Sequence, residues 1–545
     1  MKKILFLALG CSLLFAPSCK DFLQKENPNS PTEAIFWQSK NDFDLALTGI
    51  YSQLRGGSNY KQSPSVSSNF LTTFLATFDN YTDNADGGTY NYAGQEEFLR
   101  DNITPDNMPG LVGSAYSYCY KSIARINIFL GHLEEMYSDK TNADYKQFKG
   151  EALALRGLMY HYLYTCYGAV PIVKEALVVE DMYKEKSSAE DVYKTVIGDY
   201  TDAIALLPKG QNYLANPGHI TGDAVIAFRA RTRLYHAYDE NGVAKNKTEM
   251  AEILTELNQI TAAYSLATDV LDNFHTSKQS ACPEIMFSLR FLKPDFRNQI
   301  DLFMGSWKMI SPSRNLVLAF PNADGSAYVP AGDIATKTDL TDADMTTLFT
   351  NRDPRLAAFI APNGVYNFTG YVNNAVDFKD GDDPNTQFAV RKLVTPLSGQ
   401  EGDKSWDNGY TWQGDQDVVL MRWAHVLLMK AEAAFESGNT TAAEGYIKEL
   451  RDRYNMPAIS GLTQEQLRNE IRIETCFEGQ RYFDMKRWRT LKDMNGKKQD
   501  PHSSITVVVN PNHFDWPIPW TEIEQAENNG VNLVQNPGYT NPSAK

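Results

Sequence analysis

The strongest constraint on the fold is a series of apolar stripes at helical spacing. In segment 188–207, Val192, Val196, Tyr200, Ile204 and Leu207 recur every three or four positions, which is one face of an α-helix, and Pro208 stops it. The same period runs through 114–137, 145–168 and 220–238, and polar linkers with Gly, Pro, Asn or Asp separate these segments. Short linkers favour antiparallel neighbours, so two helix pairs are expected, 114–137 with 145–168 and 188–207 with 220–238. A first helix is expected within 32–54, where Phe36, Phe43, Leu47, Ile50, Tyr51 and Leu54 keep the period, and another over 250–274. The period returns in 418–436, 441–454 and 463–489.

Ala224 and Phe228 repeat the small-xxx-aromatic spacing with which tetratricopeptide helices lie against one another, so the fold class is mainly α, a superhelix of helix pairs. Two stretches interrupt it. Residues 55–110 are rich in Gly, Asn, Asp and Tyr, and residues 282–415 in Pro, Gly, Asp, Asn and aromatics, with only short strand-like runs such as 284–291. The chain divides into a leader at 1–18, a tether at 19–31, a helical part at 32–281, a loop-rich insertion at 282–415 and a second helical part at 416–545.

Lys2 and Lys3 precede an apolar run from Ile4 to Phe15, too short to span a bilayer but suited to a secretory signal. Ala16, Pro17, Ser18 and Cys19 then resemble a loose lipobox, with Cys19 as the acylated thiol. An ordinary signal with an incidental cysteine is the competing reading. The net charge of −15 repels phosphate backbones, which argues against nucleic acid as a partner. Cys119, Cys166, Cys282 and Cys476 show no CxxC spacing, so neither zinc nor redox chemistry is indicated and free thiols are expected. His161, His236 and His425 are lone helical histidines with no second ligand at i+4, and no cofactor is implied.

Several motifs in one order resemble SusD/RagB-type surface lipoproteins. They are Cys19-Lys20-Asp21-Phe22-Leu23, Glu33 to Trp37, Ala46 to Tyr51, Arg125-Ile126-Asn127, Glu151 to Gly157 and Tyr167 to Pro171. Leu427 to Ala433, Phe477 to Asp484, Pro517-Ile518-Pro519 and Gln535 to Tyr539 complete the series, with His425 standing where family members usually carry Asp. The resemblance implies a tetratricopeptide-like scaffold with an irregular ligand-facing subdomain, lipid attachment to the outer membrane facing the medium, and pairing with a SusC-like TonB-dependent porin. Most motif residues read as structural. Glu478, Arg481 and Asp484 suit an ion-pair ladder along one helix, and Arg156 in an apolar helix needs a buried carboxylate partner.

A sugar offers a C–H face and a hydroxyl rim, so its site needs aromatic rings beside Asn, Asp or Arg. One cluster of that kind holds Asp79, Asn80, Tyr81, Asn84, Tyr90 and Tyr92, and a second holds Trp307, Arg314, Trp406, Tyr410 and Trp412. The alternative is that these rings pack their own loops. The expected function is non-catalytic capture of oligosaccharides for import through the porin. A peptide or other nutrient binder of the RagB type is the alternative, and a glycoside hydrolase a more distant one, since no GxSxG, HExxH or Walker-type loop occurs and no carboxylate pair stands out.

Overall fold

A computed structural model describes residues 36–55, 70–72, 75–87, 94–108, 110–178, 181–292, 296, 298, 300, 302–362, 385–394 and 414–542. The main helices of the N-terminal half are α1 (Lys40–Arg55), α2 (Gly110–Met136), α3 (Ala143–Tyr167), α4 (Ala189–Leu206), α5 (Gly222–His236) and α6 (Lys247–Leu257). Those of the C-terminal half are α7 (Trp423–Glu436), α8 (Thr440–Asp452), α9 (Gln464–Thr475), α10 (Arg481–Arg487) and α11 (Trp520–Asn528). Each of the two expected pairs is present, and three of their four helix starts are chemically marked. Asn142 caps α3, Ser188 caps α4 and Thr221 caps α5 by accepting from first-turn amides.

The helices stack in the order α2, α3, α4, α5, α6, α7, α8, so the C-terminal pair packs directly onto the N-terminal array through α6 and α7. At its centre α3 is buried on nearly every side, and Gly157 lets α4 approach so closely that a Cβ there would lie 2.8 Å from the Tyr200 ring. Arg156 is the one long cation in this contact. It forms a two-pronged pair with Asp199 (2.8 and 2.7 Å) and donates to Asn127 Oδ1 and the Lys174 carbonyl, the buried partnership the sequence demanded.

Three expected helices are cut short. The helix expected to reach 274 ends at Leu257, because the Asp223 carboxylate accepts from the amides of Thr261 (3.0 Å) and Ala262 (2.7 Å) and takes the backbone out of register. The segment expected as a helix from 418 begins as a strand, β6 (Val418–Arg422), antiparallel to β2 (Ile285–Leu289). The segment expected as one helix over 463–489 breaks between α9 and α10, where Phe477 (φ 65°) and Gly479 (φ 72°) adopt left-handed backbone. Glu478, Arg481 and Asp484 therefore form no ladder; they go to Arg422, Asp83 and Arg487 respectively.

A Cβ on Gly479 would sit 2.3 Å from the Leu75 carbonyl oxygen. Gly479→Ala combines that clash with a left-handed φ and is expected to cost about 3 kcal/mol. A urea midpoint unchanged from the parent would refute this.

The break at 476–480 lets Glu478 enter a buried charge cluster. Arg422 reaches Glu478 (2.6 and 2.8 Å), Glu284 (2.6 Å) and Glu474 (3.1 Å), and Lys392 donates to Glu478 (2.6 Å). Arg453 joins Glu284 (2.7 Å) to Glu474 (2.5 Å), and Arg355 joins Asp353 (2.7 Å) to Glu470 (3.0 Å), which also pairs with Arg451. Five cations thus face five carboxylates, which leaves the cluster neutral. It ties segments 284, 353–355 and 392 to α8, α9 and β6. His425 is part of it: Nδ1 accepts from Arg231 (2.9 Å) and Nε2 donates to Glu478 (2.8 Å), so a neutral ring serves where a carboxylate would add like charge.

Cys119, Cys166, Cys282 and Cys476 are buried free thiols. Among the described residues no helix is long and apolar enough to cross a membrane, and no group of side chains could hold a metal ion. His161 donates to or accepts from Thr232 (2.9 Å), and His236 stacks on Tyr193 with centroids 3.8 Å apart. Both are packing roles.

Candidate ligand-binding face

Between the helices and the loop-rich part lies a short β framework. A 3₁₀ turn (Ala76–Tyr81) leads into β1 (Ala85–Gly87), which pairs antiparallel with β3 (Ile310–Pro312) so that Gly87 faces Ile310. Next to β3 runs β5 (Phe388–Val390), itself paired with β4 (Ile360–Pro362). Asn385 N donates to Ser311 Oγ (3.1 Å) and Thr386 Oγ1 to the Pro312 carbonyl (2.7 Å). Gly87, Trp307 and Asn385 are thereby gathered at one place in the fold. Residues 88–93, 363–384 and 395–413 lie outside the described residues, and Asn298 bridges to Gly414. Trp307 is half-buried, with its ring 5.1 Å from that of Phe303.

The first expected cluster is part of the scaffold instead of the surface. Asp79, Asn80, Tyr81 and Asn84 are each fully buried. Asp79 accepts from Asn84 Nδ2 (2.6 Å) and from the Phe477 amide (3.1 Å), so it braces the chain break before α10. Burial lifts its carboxyl to about 6, against the lowering effect of those hydrogen bonds. Asn80 donates to the Met309 carbonyl (2.8 Å), tying the turn to the segment before β3. Tyr81 stacks on Phe98 at 4.2 Å and meets Tyr482 and Trp516 edge-on. The polarity of this stretch suggested solvent, but partners arrive from Met309, 229 positions along the chain, and from residues 472–482, with Phe477 398 positions along.

Arg314 also departs from expectation. It is 1% exposed and donates to the carbonyls of Ile334 (3.0 Å), Lys337 and Thr338 (3.2 Å), while its own amide donates to Asp500 (2.7 Å). Held by three carbonyls, and with its Nε buried and without an acceptor, this guanidinium anchors a loop and presents no exposed face to a ligand. Tyr90, Tyr92, Trp406, Tyr410, Trp412 and Cys19 lie outside the described residues. Of the expected contacts, Trp307 is the described one with partial exposure.

Asp83, next to the buried cluster, holds the face together. Its carboxylate accepts from Arg481 Nε and Nη2 (both 2.8 Å) and lies 3.4 Å from Arg472. Burial would raise its pKa, but the two guanidiniums outweigh it and hold it well below the usual carboxylate range. Arg472 also donates to Asn84 Oδ1 (2.7 Å) and Asn315 Oδ1 (2.8 Å). Sequence reasoning assigned Arg481 to an intrahelical ladder and passed over Asn315, Arg468, Lys497 and Lys498, which surround Asp83. The adjacent Lys497 and Lys498 in an acidic chain were the available signal.

Comparison with known proteins agrees with this architecture. Residues 292–539 match the model of the SusD family, and residues 21–234 match a model described as starch-binding, associating with the outer membrane. SusD-like protein P38 of Formosa agariphila is 23% identical over 91% of this chain and 94% of its own length. Starch-binding protein SusD of Bacteroides thetaiotaomicron is 26% identical over 76% of each chain. The crystal structure of a SusD-like protein from Bacteroides fragilis superposes with a TM-score of 0.73 at 20% identity, covering 93% of this chain and 99% of that one. The helix-pair scaffold, the β-framed loop face and these matches over both halves agree, and the chain belongs to the SusD/RagB family.

Proposed function

We propose that this protein is a non-catalytic surface lipoprotein, acylated at Cys19, that captures oligosaccharides at the outer membrane and passes them to a SusC-like TonB-dependent transporter. The observation that carries the reading is the match of residues 21–234 to a family described as starch-binding, together with the similarity over 76% of the chain to a relative named as a starch-binding protein. The β1–β3–β5 framework supports it physically, since a rigid base under several loop stems is how a scaffold presents variable contacts. On this reading Trp307, Tyr90, Tyr92, Trp406, Tyr410 and Trp412 supply the stacking rings. Calorimetry of the purified full-length protein in mild detergent, against oligosaccharides of differing linkage with product analysis alongside, tests it. Saturable heat without cleavage, weakened about tenfold by Trp307→Ala, is the expected result. Heat with peptides alone, or cleavage of the sugar, would replace it.

A further inference from the structure

Beside Asp83 a cleft of about 230 Å3 opens between α9, α10 and the segment 490–499, with Asn315 on its far wall. Its charge is opposite to that of the chain as a whole, which carries −15. Four cations, Arg468, Arg481, Lys497 and Lys498, line it against two carboxylates, Asp83 and Asp493. Asp83 is already engaged by Arg481 and Arg472. Arg468, Lys497 and Lys498 form no ion pair with any described residue. Arg468 lies 4.7 Å over the Trp488 ring and donates from Nη2 to the Gly242 carbonyl (3.2 Å), which together fix its guanidinium without neutralising its charge.

The two lysines are exposed, yet their backbone is held. Lys497 N donates to the Met494 carbonyl (3.0 Å) and Val507 N to the Lys497 carbonyl (2.9 Å). Their ammonium groups therefore hang from a fixed turn. Asn315 turns its Oδ1 to Arg472, which leaves its NH2 as a donor suited to a hydroxyl. A fixed guanidinium with no carboxylate partner, two free ammonium groups and a neutral amide around a concave space of this size are the complement of an oxyanion carried on a sugar.

We propose that this cleft binds the carboxylate or sulfate of an acidic sugar residue, so that the captured oligosaccharide is anionic. The inference rests on the glycan-binding reading and adds the charge class of the ligand. Arg468 and the lysines bind the oxyanion, while Asn315 takes a neighbouring hydroxyl.

The test is calorimetry of the full-length protein in mild detergent with five probes: an oligogalacturonide, its neutral methyl ester, a sulfated galactose oligosaccharide, its desulfated counterpart, and oligoglutamate. The expected result is saturable binding of the uronate or the sulfated sugar, at least about tenfold tighter than its neutral counterpart and weakened by raising salt from about 50 to 300 mM. The arm that binds identifies the anion. Lys497→Gln with Lys498→Gln should weaken that binding about tenfold and leave the thermal midpoint unchanged, because both side chains are exposed. Arg468→Gln, on a different element, should weaken it independently. Equal binding of the neutral counterpart, with the lysine variant unchanged, overturns the inference and leaves glycan capture standing. Binding of no sugar at all overturns both, and binding of oligoglutamate alone assigns the cleft to an acidic peptide.

Discussion

Arg422→Met should lower the unfolding free energy by about 3–5 kcal/mol, the cost of removing one partner from a buried charge cluster. Arg422 is fully buried and touches three carboxylates, Glu284, Glu474 and Glu478. Methionine fills much the same space, so packing changes little. What changes is the charge balance: five carboxylates would then face four cations with no water to screen the surplus. The consequence reaches beyond one residue, because the cluster is where the loop-rich segment joins α8, α9 and β6. Urea unfolding at neutral pH measures the effect. Arg422→Lys, which keeps the charge but loses the fork geometry, should fall between the two. Adding Glu478→Gln to Arg422→Met should recover part of the loss, because the surplus charge is gone. If Arg422→Met unfolds at the parental urea midpoint, the cluster contributes no stability. If the single variant does not fold at all, the lysine and double variants still separate charge balance from packing.

The second large effect is a loss of stability on acidification that begins near pH 6.5. Burial pushes the imidazole of His161 down to about 3 and those of His275 and His425 to about 4. All three are depressed in the fold, so their contribution is fully present above the unfolded value near 6.5 and is lost as pH falls, because the unfolded chain takes up protons that the folded chain refuses. Six carboxyls raised by burial act in the opposite direction, Asp86, Asp272, Asp484 and Glu522 together with two others. Asp79 and Asp417 are raised by burial to about 6, so they take up protons in the fold first and add stability as pH drops through 6. Each of the three histidines is shifted further than either Asp79 or Asp417. Between pH 6.5 and 4.5 the three histidines alone remove roughly 6 kcal/mol, of which the raised carboxyls return a part. Below that, Glu474, whose carboxyl three guanidiniums and Lys392 hold at about 2 against the effect of burial, adds its own loss as it becomes protonated. Urea midpoints at pH 7, 5.5 and 4.5 would show the decline, and His161→Gln should make it shallower. A flat profile over that range would mean that these histidines are accessible to protons in the fold.

The helix pairs were legible because their information is local. A stripe at i, i+3 and i+4, a capping Asn or Ser and a stopping Pro208 act within a few residues, so α2 to α5 lie where the periodicity places them. Arg156 was legible for a related reason: a guanidinium in an apolar helix has to find a carboxylate, whichever one it is. The break at 476–480 was not. By its period the segment 463–489 could be one helix, and it is the pull of Glu478 into a cluster with Arg422 and Lys392, and of the Phe477 amide onto Asp79, that interrupts it.

The same limit applies to the ligand face. Asp79, Asn80, Tyr81 and Asn84 look like a sugar site by composition, and nothing within twenty residues of them says that Met309, Phe477 and Tyr482 will cover them. Sequence alone determined the mainly helical scaffold and the family, because both reside in short-range patterns repeated along the chain. Only the tertiary structure decided which polar loop residues are scaffold and where uncompensated positive charge gathers, because burial and charge balance are set by residues that meet from opposite ends of the chain.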